Sequence, residues 1–294
     1  MRFALFGNVY QQQTALVSRL VACLHSHGAT VTVDRDYYEH LCQEHGQALP
    51  QPDGIETFEG DAFDADYAVS VGGDGTLLET ANRVGRKQMP IIGINTGRLG
   101  FLADVTADAM EACIDNLFNG NFTVESRTLI QVEADGKAIE GGACALNDVA
   151  ILKRDTASMI SIRASINGDY LTTYQADGLI VSTPTGSTAY SLSNGGPIIV
   201  PQTGVLLLNA VAPHSLNMRP IVIPDTAHVE LTVSSRSHSF LVAVDGRSMK
   251  LPEGTTLTLC RAPYKVRLVK QQATSYFTTL REKMMWGAAL RPRE

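Results

Sequence analysis

Apolar residues in the first 120 positions alternate between two spacings, which predicts strands that are followed by helices. The predicted strands cover residues 2–6, 30–34, 67–71 and 91–94. The predicted helices, in which apolar residues recur every three or four positions, cover residues 16–24, 37–45, 77–84 and 106–118. Strands that alternate with helices indicate a parallel sheet with crossover connections, so we expect residues 1–122 to form an α/β, Rossmann-like domain.

The pattern changes after residue 120, where short alternating segments predict a β-rich domain over residues 123–270. The clearest strands are residues 128–133, 149–153, 160–166, 178–182, 229–233 and 240–244. Tight turns are expected at Asp135-Gly136, Asn167-Gly168 and Asp245-Gly246. This pattern favours a β-sandwich. In the last segment, residues 271–294, apolar positions regain helical spacing, and we expect a helix that packs back on the first domain.

Composition narrows the possible partners. The 294 residues are 44% apolar and 18% charged, as in an ordinary globular protein with enough chain for two domains. The net charge of -6 gives no general attraction to nucleic acid or to an anionic membrane, and no apolar run is long enough to span a bilayer. The five scattered cysteines form no CxxC motif, which predicts reduced thiols and a cytoplasmic location without a cysteine-based zinc site.

The run Gly72-Gly73-Asp74-Gly75-Thr76 joins a predicted strand to a predicted helix. Glycines allow the backbone to approach a ligand closely, and the N–H groups at the start of a helix attract phosphate. A carboxylate is out of place there because it repels phosphate, so we interpret Asp74 as a group that acts on something beside the phosphate. The alternative is a glycine-rich turn with an Asx-type aspartate.

A second run, residues 177–197, begins at Asp177 and concentrates hydroxyl groups on one passage from a strand to a helix. The hydroxyl residues are Thr183, Thr185, Ser187, Thr188, Ser191 and Ser193. This pattern favours a polar surface for a sugar, an amide or a phosphate, and the alternative is a loop that is merely rich in serine and threonine.

Two shorter segments add to this picture. Asn147-Asp148 interrupts an apolar run, either as a structural bulge or as a pair that faces a ligand, since a carboxylate can accept two hydrogen bonds from a ribose diol. Residues 93–102 form a glycine-punctuated loop after a strand, suited to lining the same site. No G-x-G-x-x-G follows the first strand and no G-x-x-x-x-G-K-[ST] is present, which argues against dinucleotide oxidoreductases and P-loop kinases.

Together these segments resemble the NAD kinase family, whose members phosphorylate NAD to NADP. The resemblance rests on GGDGT at 72–76, N-x-G-x-LGFL at 95–102, Asn147-Asp148 and TPTGSTAYSLS-x-GGP at 183–197. The segment 277–283 also resembles the closing segment of the family. The GGDG motif alone is shared with diacylglycerol-type lipid kinases, whereas the TPTGSTAYSLS run is much more specific.

The resemblance implies a role for each matching residue. Asp74 would be the general base that takes the proton of the 2′-hydroxyl of the adenosine ribose, while Gly72, Gly73, Gly75 and Thr76 would hold the phosphates of ATP or another triphosphate. The implied NAD-binding residues are Asp74, Gly75, Asn147, Asp148, Asp177, Thr188, Ala189, Tyr190, Ser191, Leu192, Ser193 and Ala212. Asp177 would face the nicotinamide half of NAD, and Thr188, Ala189, Tyr190 and Ser193 the adenosine half. Where many relatives place glutamine, this chain has Arg247 after Asp245-Gly246, and that contact is not carried over.

The resemblance further implies a divalent cation, Mg²⁺ by preference, with no protein ligand assigned to it. NAD would lie in the cleft between the two domains of a homodimer or homotetramer, with no nucleic acid or membrane partner. Two alternatives stay open from the residues alone: a lipid kinase that uses the same GGDGT, and a nucleotide-sensing module without turnover. The lipid kinase would need an exposed apolar or basic face, and a sensor would gain nothing from a carboxylate beside phosphates.

Overall fold

The computed structural model describes residues 1–45, 55–97, 100–139, 143–155, 158–271 and 275–285. The chain divides into two compact units. Unit 1 contains Met1–Ser126 together with Val266–Glu294, and unit 2 contains Arg127–Lys265. Within the described residues, no helix has both the length and the apolar character needed to cross a lipid bilayer.

The helices and strands have the following bounds. The α-helices are α1 Thr14–Ser26, α2 Arg35–His45, α3 Asp74–Val84, α4 Met110–Phe118, α5 Tyr190–Ser193 and α6 Tyr276–Met284. The first strands are β1 Arg2–Gly7, β2 Thr30–Asp34, β3 Ile55–Phe58, β4 Tyr67–Gly72, β5 Ile91–Asn95 and β6 Val105–Thr106. The later strands are β7 Phe122–Ala134, β8 Lys137–Ala138, β9 Cys144–Ala145, β10 Asp148–Lys153, β11 Ile160–Ile166, β12 Asp169–Ala176, β13 Gly178–Ser182, β14 Val205–Val211, β15 Ile221–Pro224, β16 Val229–Ser234, β17 Ser239–Val244, β18 Arg247–Pro252 and β19 Thr256–Gln271.

Unit 1 is built on a parallel sheet with the strand order β3-β2-β1-β4-β5, and the end of β19 pairs beside β5 through Leu268 and Ile91. Its core side chains, among them Phe3, Val69 and Ile92, are fully buried, as expected for strands covered on both faces. Strands β2 and β3 follow on one side of β1, and β4 then pairs with the other side of β1. This reversal makes the carboxyl ends of β1 and β4 the topological switch point, where sheets of this kind bind ligands.

Unit 2 is all-β apart from one short helix and one 3₁₀ turn among its described residues. One antiparallel sheet has the order β15-β14-β13-β10-β17-β18, and the strands β12, β11 and β16 continue antiparallel to the first part of β19. Apolar side chains from both sets, such as Val181 and Leu231, share one core. The arrangement confirms the β-rich domain expected from the sequence.

All three Asp-Gly and Asn-Gly turns connect antiparallel strands, as predicted. Both residues of each pair have positive φ values, for example 46° at Asp245 and 83° at Gly246. This is the type I′ geometry that matches the twist of the strands on either side.

The structure also corrects several boundaries. Strand β3 lies in a segment for which no strand was predicted, while residues 46–54 lie outside the described part. Helix α3 begins at Asp74 rather than at Leu77, and the segment expected to be one helix over 106–118 is a 3₁₀ turn, Ala107–Ala109, followed by α4. The strands β12, β14, β15, β18 and β19 were not predicted, because their residues alternate less regularly or include proline.

Candidate functional site

The GGDGT run lies at the switch point of the unit 1 sheet. Gly72 ends β4, Gly73 precedes α3, and Asp74 is the first residue of that helix. A side chain at Gly72 would come within 2.3 Å of the Thr76 hydroxyl, so glycine is required there. By contrast, no atom lies within 4 Å of a side chain built at Gly73 or Gly75. The first turn of α3 therefore presents its backbone N–H groups beside open space, a geometry suited to phosphate.

The Asp74 carboxylate accepts hydrogen bonds from three consecutive backbone N–H groups. Oδ2 accepts from Phe101 at 2.9 Å, and Oδ1 accepts from Leu102 at 3.0 Å and from Ala103 at 3.1 Å. Lys283 of α6 adds a positive charge, with Nζ 3.5 Å from Oδ2. The Asp74 side chain keeps 29% of its surface exposed. The carboxylate is thus oriented by its partners while it remains open on one side.

The loop that supplies these donors is itself fixed by polar contacts in unit 1. Lys270 of β19 pairs with Asp104 at 2.7 Å and donates to the Leu102 carbonyl at 3.3 Å, and both charged side chains are nearly buried. The Asn95 amide donates to the Ala103 carbonyl at 3.1 Å. A side chain at Gly100 would lie 1.9 Å from Asp74 Oδ1. These contacts explain why a glycine-containing loop follows β5, although Arg98 and Leu99 of the motif lie outside the described residues.

In unit 2, Asp245 holds the Asn147-Asp148 pair in the same manner. Its carboxylate accepts the backbone N–H groups of Leu146 at 2.7 Å, Asn147 at 2.8 Å and Asp148 at 3.2 Å. Strand β10 begins at Asp148, whose side chain is buried, whereas Asn147 is partly exposed. The segment before β10 is therefore shaped by a carboxylate from the turn after β17.

Burial raises the pKa values of both carboxyl groups, and repulsion by Asp245 adds to the rise at Asp148. Burial is the main cause that raises the pKa of Asp148 to about 7, the nearby Asp245 carboxylate raises it further, and the backbone N–H of Tyr190 opposes the rise. Burial also raises the pKa of Asp245, against the lowering effect of its three backbone donors and Arg247. The Asp148 carboxyl group is thus poised to exchange a proton near neutral pH.

Most hydroxyl groups of the 183–193 passage are used within the protein. Thr183 donates to the Leu146 carbonyl at 2.6 Å, and Ser187 bonds both to the Pro184 carbonyl and to the Ile199 N–H. Ser191 is fully buried, and its hydroxyl accepts from the Asn209 amide at 3.2 Å. A side chain at Gly186 would come within 2.0 Å of the Asn147 carbonyl oxygen. The hydroxyl groups of this run therefore hold its backbone against Asn147, in addition to the ligand-binding surface predicted from the sequence.

The remaining predicted residues of this run are less enclosed. Thr188 ends the 3₁₀ turn Thr185–Thr188 and donates to the Thr185 carbonyl at 3.3 Å, and α5 follows after Ala189. Tyr190 and Ser193 are exposed, with Tyr190 at 39%, and Leu192 is partly buried. Since the Tyr190 N–H bonds to Asp148, the structure brings this segment and the Asn147-Asp148 pair together.

Asp177 and Ala212 form a separate group. Asp177 pairs with Lys153 at 2.7 Å, and its backbone N–H donates to the carbonyl of Val211, the residue before Ala212. Ala212 has a φ of 43°, a strained value for a residue other than glycine, and such strain often marks a functional position. Strands β10 and β13 are antiparallel, with Asp148 opposite Ser182. This group therefore lies at the other end of the strand pair, roughly 16 Å from Asp148.

Sequence reasoning missed several residues of these sites. The sequence predicts Asp245 only as a turn residue, and it marks Lys283 only as part of the segment 277–283. Lys270 and Lys153 carried no signal, because a single lysine in a strand is usually a solvated side chain. The one available signal was the acidic first residue of Asp245-Gly246, and a turn alone explains it.

A cluster of potential metal ligands lies elsewhere in unit 1. The ligand atoms of Cys23, His27 and Asp115 lie within 4.8 Å of one another, and His27 bonds to Asp115. The cluster is at the end of α1 that precedes β2, opposite the edge of the sheet where GGDGT lies. Its side chains therefore take no part in the phosphate site.

Comparisons with known families cover most of the chain. The model described as the ATP-NAD kinase N-terminal domain matches residues 3–122, and the ATP-NAD kinase C-terminal domain matches residues 146–271. A protein named NAD kinase from Bacteroides fragilis is 52% identical over 289 residues, with 98% of this chain and 99% of the relative covered. Another from Porphyromonas gingivalis is 43% identical over 291 residues, with 99% of each covered.

Solved structures agree with these matches. A yeast NADH kinase complexed with NADH has a TM-score of 0.88 at 22% identity, covering 100% of this chain and 90% of its own. At that identity the likeness concerns the fold. An NAD kinase from Archaeoglobus fulgidus in complex with ATP has a TM-score of 0.76 at 25% identity and covers 97% of this chain and 99% of its own. The comparisons give no support to a lipid kinase or to a sensor without turnover.

Proposed function

The chain belongs to the NAD kinase family and has its activity, and from that premise we propose that Asp74 is the general base of the reaction. The observation that carries the proposal is the position of this carboxylate, oriented by three backbone N–H groups at the switch point of the sheet. An oriented, partly open carboxylate beside free helix N–H groups is what a kinase of an alcohol needs.

The chemistry follows from that position. As the 2′-hydroxyl of the adenosine ribose attacks the γ-phosphorus of ATP, its proton passes to Asp74 and a bond forms between the ribose oxygen and phosphorus. The bond from that phosphorus to the bridging oxygen breaks, and its electron pair leaves with ADP. The protein contributes position and charge more than covalent chemistry, because the transition state of phosphoryl transfer is loose.

For the phosphate donor, we propose Gly72, Gly73 and Thr76, with Gly75, as the residues that cradle the phosphates. The open space beside Gly73 and Gly75 supports this assignment. Both Asp74 oxygens already accept backbone N–H groups, so the site fits a cation, such as Mg²⁺, held chiefly by phosphate oxygens rather than by a protein cage. That cation would neutralise charge on the phosphate oxygens.

For NAD, we propose contacts from unit 2 in two groups. The first group comprises Asn147, Asp148, Thr188, Ala189, Tyr190, Ser191, Leu192 and Ser193. Because the Ser191 hydroxyl is enclosed, its contribution would come from its backbone. The second group comprises Asp177 and Ala212. Together with Asp74 and Gly75 of unit 1, these residues make up the proposed NAD-binding set.

Substitution of Asp74 by Asn tests the assignment of the base. The amide cannot take the hydroxyl proton, so we expect kcat to fall about 10³-fold. The dissociation constant of NAD, measured by isothermal titration, is expected to change less than about threefold, because one carboxylate is a small part of the contacts to a dinucleotide. Turnover is measured by coupling NADP to an NADP-specific dehydrogenase. Asp108→Asn, at an exposed position in the same unit, is the matched control, and turnover that survives in Asp74→Asn rules out Asp74 as the base.

We also propose a homodimer or homotetramer in a reducing, cytoplasmic compartment. The separation of Asp177 and Ala212 from the Asp148 group supports an oligomer, because the second group can then serve another copy of the chain. The five cysteines, all free thiols, are consistent with a reducing compartment. Light scattering of the purified protein at micromolar concentration tests the oligomer, and a monomeric mass rejects it.

A further inference from the structure

The Asp74 carboxylate has one acceptor position that the backbone does not fill. Each carboxylate oxygen offers about two lone-pair sites. Oδ1 receives Leu102 and Ala103, while Oδ2 receives only Phe101 from the backbone. Lys283 Nζ lies 3.5 Å from Oδ2, beside its remaining acceptor position, and 29% of the Asp74 side chain stays exposed. A hydroxyl group that reaches the base through Oδ2 therefore has to meet this ammonium group.

Helix α6 is anchored in a way that brings Lys283 to this position. Ser275 caps the helix by accepting the Thr278 N–H, and Leu280 is buried. The Tyr276 ring contacts the ring of Phe101, with centroids 6.4 Å apart. Lys283 follows Leu280 by three positions, and its Nζ lies 4.4 Å from the centre of the Phe101 ring. The loop that orients Asp74 is thus also the loop against which Lys283 rests.

The charge at this position has a use in phosphoryl transfer. Asp74 at the start of α3 repels the phosphates that must approach it, and the chain carries a net charge of -6. A preorganised ammonium group beside the reacting atoms offsets that repulsion. The Lys283 side chain is 32% exposed, and its ammonium group is carried on a flexible stem. Its Nζ can therefore move away from Oδ2 when a substrate hydroxyl group binds there.

We propose that Lys283 is a catalytic residue, whose ammonium group pairs with Asp74 in the free protein and binds the transferred phosphoryl group during the reaction. It keeps its protons throughout, since the hydroxyl proton goes to Asp74 and the electron pair of the broken bond leaves with ADP. The inference rests on the proposed role of Asp74 as the base. It assigns to the C-terminal helix a part in catalysis in addition to packing.

The test compares Lys283→Met with Lys283→Arg in the full chain. Methionine keeps an apolar stem against Phe101 and removes the charge, whereas arginine keeps the charge. We expect Lys283→Met to lower kcat about 100-fold with less than a threefold change in the KM of NAD, and Lys283→Arg to retain kcat within about tenfold of the unsubstituted protein. Arg281→Met, on the same helix and bonded to Thr278, is the control that should leave kcat unchanged.

Thermal unfolding separates catalysis from helix packing. If Lys283→Met and Lys283→Arg lose activity equally, or if Lys283→Met loses activity only together with its melting temperature, the lysine serves packing and the proposal is overturned. A kcat of Lys283→Met within threefold of the unsubstituted protein also overturns it. Asp74→Asn distinguishes the two proposals. Full activity in Asp74→Asn rejects Asp74 as the base. If Lys283→Met then still lowers kcat, the role of Lys283 at the phosphoryl group is retained.

Discussion

Asp74 in unit 1 and Asp245 in unit 2 share one hydrogen-bond pattern in different surroundings. Each carboxylate accepts three consecutive backbone N–H groups, from residues 101–103 and from residues 146–148. Beside Asp74 lie an ammonium group and open space, whereas Asp245 is buried beside the Asp148 carboxylate and the Arg247 guanidinium group. We therefore assign a reactive role to the carboxylate of unit 1 and a structural role to that of unit 2. The two roles differ because the neighbouring groups differ.

The sharpest test of this comparison is alanine at each position. Asp245→Ala leaves three backbone donors without a partner in a buried place, and we expect the free energy of unfolding to fall by about 3 kcal/mol. Asp74→Ala leaves its donors nearer to water, and we expect a loss of about 1 kcal/mol with a fall in kcat of about 10³-fold. Urea unfolding and the coupled NADP assay measure the two quantities.

The comparison fails if the two alanine variants behave alike. Asp108→Ala, exposed in unit 1, provides the baseline for stability. Asp245→Asn adds a graded case, because the amide oxygen can still accept some of the three N–H groups, and repulsion of Asp148 is relieved. Its unfolding free energy should lie between those of Asp245→Ala and the unsubstituted chain.

A smaller effect is expected at two glycines that approach these groups. A methyl group at Gly100 would meet the Asp74 side chain, which can rotate away, so Gly100→Ala should lower kcat at least tenfold and cost about 1 kcal/mol of stability. A methyl group at Gly186 would meet the Asn147 backbone, which cannot rotate away. Gly186→Ala should therefore cost about 2–3 kcal/mol.

Gly204→Ala is the matched control for both glycines, since its added methyl group would meet only ordinary contacts at 3.8 Å or more. Equal losses of stability in Gly100→Ala and Gly186→Ala would show that Asp74 is held as rigidly as the backbone of unit 2. That outcome would contradict the open, reactive surroundings assigned to Asp74.

The last effect concerns pH and accumulates over several pH units. Burial raises the pKa of Asp148 to about 7, above its usual value of 3.8, so between about pH 4 and pH 7 the folded protein keeps a proton that the unfolded chain loses. The free energy of unfolding should therefore fall as pH rises through this window, on the order of 1 kcal/mol per pH unit. Urea unfolding from pH 4 to pH 8 measures the slope.

Asp148→Asn is the variant that isolates this contribution, because its amide does not titrate. Its slope between pH 4 and pH 7 should be flatter than that of the unsubstituted chain. If the two slopes coincide, Asp148 ionises as a solvated carboxylate and the contrast between the acidic pair of unit 2 and Asp74 disappears.

Local chemistry was enough to predict much of the fold. The alternation of strand and helix spacing in residues 1–122, and the three Asp-Gly or Asn-Gly turns, depend on neighbours within a few positions. Strand β13 and strand β11 were predicted with their observed bounds for the same reason. Strand β19, in contrast, runs through both units and contains proline, so its pattern has no single period to read.

The amino-acid sequence also indicated the catalytic chemistry. The glycines of GGDGT predict a phosphate-binding loop, and the carboxylate of Asp74 within that loop is not needed to bind phosphate. The partners of that carboxylate are another matter. Lys283 belongs to the last helix, and Asp245 reaches Asn147 from 98 positions away. A residue type states which charge or donor is available, while the distance between two charges is set by how strands and helices pack. Only the tertiary structure therefore decided that one carboxylate is partly exposed beside an ammonium group, while the other is buried beside a second acid and a guanidinium group.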